Sequence, residues 1–290
     1  MKITAKTKVL GIIGLPVEHS FSPPMHNYIS EKLGNDYIYT GLKVEPAALE
    51  AAVRGVRALG IRGLNVTAPH KKEVMKYLDK IDPRALRLGS VNTVVNDNGA
   101  LTGYNTDSDG FFAALSHSGI EVRGKRVLVM GCGGVARPTL LRMTEEEPES
   151  ITIANRTLSK AEALAEEIRG LTGCNIAALT SKAENITYDV IINMTSAGME
   201  PQEDALPTDL IKELGTMDIV GSGTAAVDMI YNPPKTRFLR EAEERGAKIL
   251  NGLDMLIYQG LIAYELFTGT KLPDGIADDI RRDVFGREDG

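Results

Sequence analysis

The chain has 290 residues, 43% of them apolar and 25% charged, an ordinary balance for a globular protein of one or two domains. A formal charge of −6 supplies no basic field for nucleic acid or an anionic membrane, so an anionic small molecule would have to be held by local donors. The two cysteines, Cys132 and Cys174, form neither a C-x-x-C pair nor a metal-ligand spacing, which predicts reduced thiols, a cytoplasmic protein and no metal site.

The first apolar run, residues 9–13, follows Lys2, Lys6 and Lys8 in the manner of a short signal peptide. Pro16, Glu18 and His19 come next with no small-residue cleavage site, so the run reads as a first strand. A helix over 23–33 closes at Gly34, followed by a strand over 37–44, a helix over 46–59 and a strand over 61–66. Pro69 suits a first helical position, and Val74 with Leu78 gives an i, i+4 apolar face, so a helix is expected over 69–78. Strands at 91–95 and 101–104 flank Asp97-Asn98-Gly99, a hairpin signal. A further helix starts near Asp107 and stops before Gly119.

A second unit opens at Lys125 with a strand over 126–130 and a helix over 133–143. A strand over 151–154, a helix over 158–168 and strands at 190–193 and 225–229 come after it. A last helix over 252–267 is stopped by Gly269 and Pro273. This alternation predicts parallel sheets covered by helices. No apolar run approaches the ~20 residues of a membrane span, so a soluble protein is expected.

Five places carry candidate chemistry. Gly131-Cys132-Gly133-Gly134-Val135-Ala136, set between a strand and a helix, matches the dinucleotide fingerprint, whose glycines let backbone amides approach a pyrophosphate at a helix start. Pro138 is tolerable there because it falls in the first turn. The next strand leads into Asn155-Arg156-Thr157, with no acid for a ribose 2′-hydroxyl; Arg156, Thr157 and Lys160 would instead meet a 2′-phosphate, which favours NADP over NAD. Lys71, in the first turn of its expected helix, faces the positive end of a dipole that disfavours an ammonium, which suits a proton-transfer group. Asp107 opens another helix, and Ser20 and Ser22 precede a third.

Taken singly, each has a plainer explanation. Lys71 could be an exposed helix-start lysine, Asp107 an N-cap, and Ser22 an N-cap ahead of Pro23. The glycines could form a bare strand-to-helix turn, and Arg156 with Lys160 a solvated helix start.

The combination resembles the shikimate dehydrogenase family of aromatic amino-acid (chorismate) biosynthesis over nearly the whole chain. The residues that carry the likeness are His19-Ser20-x-Ser22-Pro23, Asn65-Val66-Thr67-x-Pro69-x-Lys71, Gly89-x-Val91-Asn92-Thr93 and Gly103-Tyr104-Asn105-Thr106-Asp107. They continue with Gly131-x-Gly133-Gly134, Asn155-Arg156-Thr157, Asn193-x-Thr195-Ser196-x-Gly198-Met199, Asp228-Met229-x-Tyr231-x-Pro233 and Gly252-x-x-Met255-Leu256-x-x-Gln259.

The resemblance implies an α/β fold of two domains. Residues 1–107, joined by a returning helical tail over 251–290, would form the substrate domain, and 108–250 a Rossmann NADP-binding domain, with a cleft that closes to exclude water. It implies NADP-dependent, reversible reduction of 3-dehydroshikimate to shikimate, with Lys71 and Asp107 handling the proton. Ser20, Ser22 and Tyr231 would hold the substrate carboxylate, and Thr67, Asn92, Asp107 and Gln259 the ring hydroxyls. Gly131, Cys132, Gly133, Gly134 and Val135 would cradle the pyrophosphate, Asn155, Arg156, Thr157 and Lys160 the adenosine phosphate, and Thr195, Met229, Gly252 and Met255 the rest of the cofactor. Gly252 and Gln259 lie seven residues apart, two helical turns, so one helix face could meet cofactor and substrate.

His70, Ser90 and Cys132 depart from the family's usual residues without removing a reacting group, and His70 is expected to be partly exposed and neutral. Monomer and homodimer are both open. So are three other functions: a quinate- or shikimate-using enzyme with NAD, a methylene-tetrahydrofolate dehydrogenase sharing the Rossmann half, and a non-catalytic dinucleotide sensor.

Overall fold

Val9 to Ile13 lie in β1 (Lys8–Gly14), and its buried residues alternate between two apolar clusters, as a strand covered on both faces requires. Ile13 packs on one face with Val53 and Val56 of α2 (Leu49–Ala58), while Leu10 and Ile12 pack on the other with Ala263 and Phe267 near the C-terminus. The computed structural model describes residues 2–181 and 187–286, which divide into two compact units, Met1–Gly110 with Leu256–Gly290, and Phe111–Met255.

In the first unit β1 is followed by α1 (Ser22–Leu33), β2 (Tyr37–Lys43), α2, β3 (Gly63–Val66), β4 (Lys80–Ile81), α3 (Pro83–Leu88), β5 (Thr93–Asp97) and β6 (Ala100–Tyr104). The sheet order is β2-β1-β3-β5-β6-β4. It is mixed rather than parallel: β5 runs antiparallel to both β3 and β6. The cause is the turn at Asn98-Gly99, whose φ values of 54° and 94° are those of a two-residue hairpin.

α4 (Asp107–His117) leads into the second unit, which contains β7 (Arg126–Met130), α5 (Ala136–Met143), β8 (Ser150–Ala154), α6 (Leu158–Thr172) and β9 (Ile176–Ala178). Then come β10 (Val190–Asn193), α7 (Pro207–Leu210), β11 (Ala225–Asp228), α8 (Arg237–Glu244) and β12 (Lys248–Leu250). Its sheet is wholly parallel, in the order β12-β11-β10-β7-β8-β9. Order reverses between β7 and β10, the switch point at which doubly wound sheets bind ligands. The chain ends in α9 (Leu253–Thr268) and α10 (Ile276–Asp283). No helix among the described residues is long and apolar enough to cross a membrane.

The expected helix over 69–78 is not formed. Residues 68–72 are turns, and only a five-residue 3-10 segment, Glu73–Tyr77, follows. The Lys71 carbonyl accepts from the Val91 amide at 2.9 Å, which places that part of the chain beside the segment leading into β5 instead of winding it. His70 is buried, its Nε2 2.8 Å from the Val44 carbonyl, and so is not the partly exposed residue expected.

One buried group stands apart. His26 of α1 stacks on Tyr39 with centroids 4.2 Å apart, and neither ring nitrogen has a hydrogen-bond partner. Burial lowers its pKa to about 3, so the folded chain holds it neutral while the unfolded chain takes up a proton near pH 6.5. The associated stability is fully present above about pH 6.5 and is lost as pH falls towards 3. By pH 5 the loss should reach about 2 kcal/mol. Urea unfolding across this range should show that slope in the native sequence and a flatter one in His26→Leu.

Candidate active site

β1, β3 and β6 end, and β5 begins, at one edge of the first sheet, as their pairing directions require. That edge therefore carries Ser20 and Ser22 after β1, Thr67 and Lys71 after β3, Asn92 before β5, and Asp107 after β6. The hairpin registers Thr93 against Tyr104, so Asn92 is brought beside residues 105–107. A one-residue slip would turn these side chains to the opposite face.

Lys71 Nζ donates to Asp107 Oδ2 at 2.8 Å, with the two side chains 30% and 18% exposed. Asp107 Oδ1 accepts from Asn92 Nδ2 at 2.8 Å. The Asp107 carboxylate is thus engaged by side chains, while its own amide donates to Asn105 Oδ1 at 3.1 Å; it opens α4 without serving as the N-cap. Lys71 precedes no α-helix, so the dipole argument for it falls away; its ammonium is held instead by the Asp107 carboxylate.

Asn92 is the hub. It is 3% exposed, donates also to Thr106 Oγ1 at 2.9 Å, and accepts from the Thr106 amide at 2.8 Å and the Thr93 hydroxyl at 2.9 Å. Gln259 of α9 is buried and reaches Asn92 Nδ2 with Oε1 at 3.5 Å, its Nε2 donating to the Leu256 carbonyl. Ser22 is buried as the first residue of α1, and its amide donates to Ser20 Oγ at 3.2 Å, so it does not cap the helix itself. Ser20 and Thr67 are half-buried.

In the second unit every strand of the parallel sheet presents its C-terminal end at one edge. Gly131 follows β7 with φ of 108°, and a Cβ there would lie 2.9 Å from Thr195 Cγ2, so only glycine fits this turn. Cys132 donates its amide to Asn155 Oδ1 at 3.2 Å. Burial raises the Cys132 thiol pKa, while the nearby Lys160 charge opposes that shift. The amides of Gly133, Gly134 and Val135 have no acceptor among the described residues, and they run straight into α5. Pro138 is the third residue of that helix, where no amide bond is lost. Three successive unpaired amides at a helix start are a cradle for a phosphate anion, and so fit a dinucleotide.

After β8, Arg156, Thr157 and Lys160 are exposed, and Arg156 has no ion-pair partner among the described residues. Thr195, Met229, Gly252 and Met255 belong to this unit as well. Gly252 lies just before α9 rather than within it, so it marks the entry to the helix and not its first turn. Tyr231 is also here, and burial raises its phenol pKa.

Comparison with known proteins identifies the family. Residues 12–94 match the shikimate dehydrogenase substrate binding domain, 113–202 the shikimate / quinate 5-dehydrogenase family, and 252–280 the shikimate 5'-dehydrogenase C-terminal domain. A shikimate dehydrogenase (NADP(+)) of Caldanaerobacter subterraneus subsp. tengcongensis is 44% identical over 271 residues, 93% of this chain and 94% of that protein. The chain belongs to the shikimate dehydrogenase family.

Solved members of the family are similar throughout. A shikimate dehydrogenase crystallised with NADP+ has a TM-score of 0.87 and 40% identity, covering 98% of this chain and 97% of its own. The Thermus thermophilus enzyme, in complex with NADP(H) and shikimate, has a TM-score of 0.80 and 36% identity, covering 95% and 99%.

Two residues that complete the site carry little signal in the sequence. Gly110 has no turn signal, yet a Cβ on it would fall 2.5 Å from the Gln259 amide nitrogen, so the start of α4 meets α9 through a bare backbone. Asn65, a motif residue with no role assigned from sequence, accepts from the Tyr39 hydroxyl at 2.8 Å and donates to Thr93 Oγ1 at 3.1 Å. It extends the hub beneath the sheet edge. Gly110→Ala should destabilise the fold by about 1–3 kcal/mol through overpacking. Thermal unfolding checks this, and an unchanged midpoint would mean the crossing can absorb a methyl group.

Proposed function

We propose that the chain catalyses the NADP-dependent, reversible reduction of 3-dehydroshikimate to shikimate, in the route to chorismate and the aromatic amino acids. The observation that carries the reading is the Lys71–Asp107 pair, set on the Asn92 hub at the loop edge of the first sheet. An ammonium has three N–H donors, and Asp107 takes one. Among the described residues Lys71 has no other partner, so two donors are left for a ligand oxygen.

In reduction, Lys71 gives a proton to the C3 oxygen as the carbonyl carbon takes a hydride; in oxidation, it takes that proton back. Asp107 holds the Lys71 nitrogen in place and offsets its charge while it is an ammonium; once the proton has gone to the C3 oxygen Lys71 is a neutral amine, which the solvent reprotonates before the next turnover. NADPH, when bound, supplies the hydride. Ser20 and Ser22, with Tyr231, hold the carboxylate of the substrate, and Thr67, Asn92, Asp107 and Gln259 its ring hydroxyls. Both Nδ2 hydrogens of Asn92 are already engaged, so a substrate hydroxyl meeting it must share one of them.

The first unit is the substrate domain in this reading, and the second holds NADP. The unpaired amides of Gly133 to Val135, with Gly131 and Cys132, receive the pyrophosphate. Asn155, Arg156, Thr157 and Lys160 receive the adenosine phosphate, and Thr195, Met229, Gly252 and Met255 surround the remaining cofactor. The free thiols of Cys132 and Cys174 support a cytoplasmic setting.

Two measurements test the reading. Lys71→Ala should lower turnover of shikimate with NADP by about 10²–10⁴ while leaving the circular dichroism spectrum unchanged. Near-normal turnover would remove Lys71 from the chemistry. Arg156→Ala should raise KM for NADP by about tenfold, the equivalent of one charge-assisted hydrogen bond, and leave KM for NAD, which has no 2′-phosphate, unaltered. Faster turnover of quinate than shikimate, or equal use of NAD, would point to the quinate branch instead.

A further inference from the structure

The sequence blocks containing Thr195 and Tyr231 open on Asn193 and Asp228, two residues that the proposed reaction leaves without a role. The fold makes them a pair. β10 and β11 are parallel neighbours, and Asn193 is registered against Asp228 at the last position of both strands. Neither side chain is exposed at all.

Asn193 Nδ2 donates to Asp228 Oδ1 at 3.0 Å, and Asn193 Oδ1 accepts from the Thr195 amide at 2.9 Å and the Thr195 hydroxyl at 2.7 Å. Asp228 Oδ1 also accepts from the Ile230 amide at 3.0 Å. Its Oδ2 accepts from the Thr236 hydroxyl at 2.6 Å, and that hydroxyl in turn accepts from the Leu239 amide at the start of α8. One carboxylate therefore ties together the loop after β10, the segment after β11 and the cap of α8.

Burying a carboxylate with no cation is unfavourable, and desolvation pushes Asp228 up to about 6 despite its three donors. An apolar residue would close the sheet edge at less cost, so the polar junction has another purpose. What it holds is the cofactor side of the site. The Gly131 turn packs directly on Met194 and Thr195, with the Met194 carbonyl 3.0 Å from where a Gly131 Cβ would stand. Met229 and Ile230 are held from the other side by Gly252, which donates its amide to the Ile230 carbonyl at 3.0 Å and whose missing Cβ makes room for the Met229 carbonyl.

We propose that Asp228 is the positioning residue of the NADP site: through Asn193 it orients Thr195 and the floor of the glycine turn, and through the Ile230 amide it sets Met229 and Tyr231. Asp228 is enclosed and acts only through these neighbours. The inference rests on the NADP reading given above.

The test is NADPH titration of the purified full chain, followed by fluorescence, with steady-state kinetics alongside. Asp228→Asn keeps the shape but exchanges an acceptor for a donor. It should weaken NADPH binding and raise KM for NADP by about tenfold, with a smaller change in kcat at saturating NADP. Because Asp228 works in part through Asn193 and Thr195, adding Thr195→Ala to Asp228→Asn should weaken binding by less than the product of the two single losses. A folded Asp228→Asn with unchanged NADPH affinity, or a double variant whose losses multiply, overturns the proposal. Should Asp228→Asn fail to fold, Asn193→Ser severs the same link while leaving Asp228 its Ile230 and Thr236 donors, and the same tenfold loss is required of it. If the unsubstituted chain binds no NADPH, the NADP reading falls and this inference with it.

Discussion

The orientation of one amide, that of Asn92, decides whether the first unit has a site at all. Its oxygen faces the Thr106 N–H and its nitrogen faces the Asp107 carboxylate, so a rotated amide would set donor against donor and acceptor against acceptor. Because the group is buried, that mismatch would cost about 1–3 kcal/mol for each group left unsatisfied. Asp107 is thereby fixed with one oxygen occupied and the other aimed at Lys71. The ion pair itself adds little to stability, since partly exposed pairs contribute about 0–1 kcal/mol. Its persistence is better explained by a need to hold an ammonium at one place than by a need to hold the fold.

The two sheets solve the same problem differently. The second is wholly parallel, so each of its strands contributes a C-terminal loop to one edge, and the loops after β7, β8, β10, β11 and β12 carry cofactor candidates without any hairpin. The first sheet recruits Asn92 and Asp107 with an antiparallel hairpin, which places a strand's start and another's end at the edge where β1 and β3 finish. Two residues with positive φ, Asn98 and Gly99, thereby fix the register on which the Lys71–Asp107 distance depends.

Much of this is legible in the sequence, and what is not has physical causes. The hairpin, the glycine turn and the long helices announce themselves through local chemistry: Asn-Gly, G-x-G-G, and apolar spacing closed by Gly34 or Gly269. The segment after Pro69 misleads because Val74 and Leu78 satisfy a helical period, whereas a distant amide, that of Val91, claims the Lys71 carbonyl. Non-local competition of this kind leaves no trace in a short window. β9 and β12, three residues each, offer too few positions for a period to register. α8, absent from the expected elements, does carry a signal: Phe238, Leu239 and Ala242 behind the cap Thr236. Asp228 is visible as a motif letter, but its role depends on the register of β10 with β11, which no single segment encodes.

A division runs through the polar groups of the chain. Where geometry must not change, they are saturated by one another: Asn92 with Thr93, Thr106 and Asp107, and Asp228 with Asn193, Ile230 and Thr236. Where a ligand is expected, they are left open and within reach of solvent: the amides of Gly133 to Val135, the Arg156 guanidinium, and two of the three Lys71 donors. Water can satisfy an exposed donor until a better acceptor displaces it, so leaving these groups unpaired costs the free protein little. His26 fits neither class, since both its nitrogens are buried and unpartnered. Its ring lies flat on Tyr39, the tyrosine that anchors Asn65, and desolvation keeps it neutral.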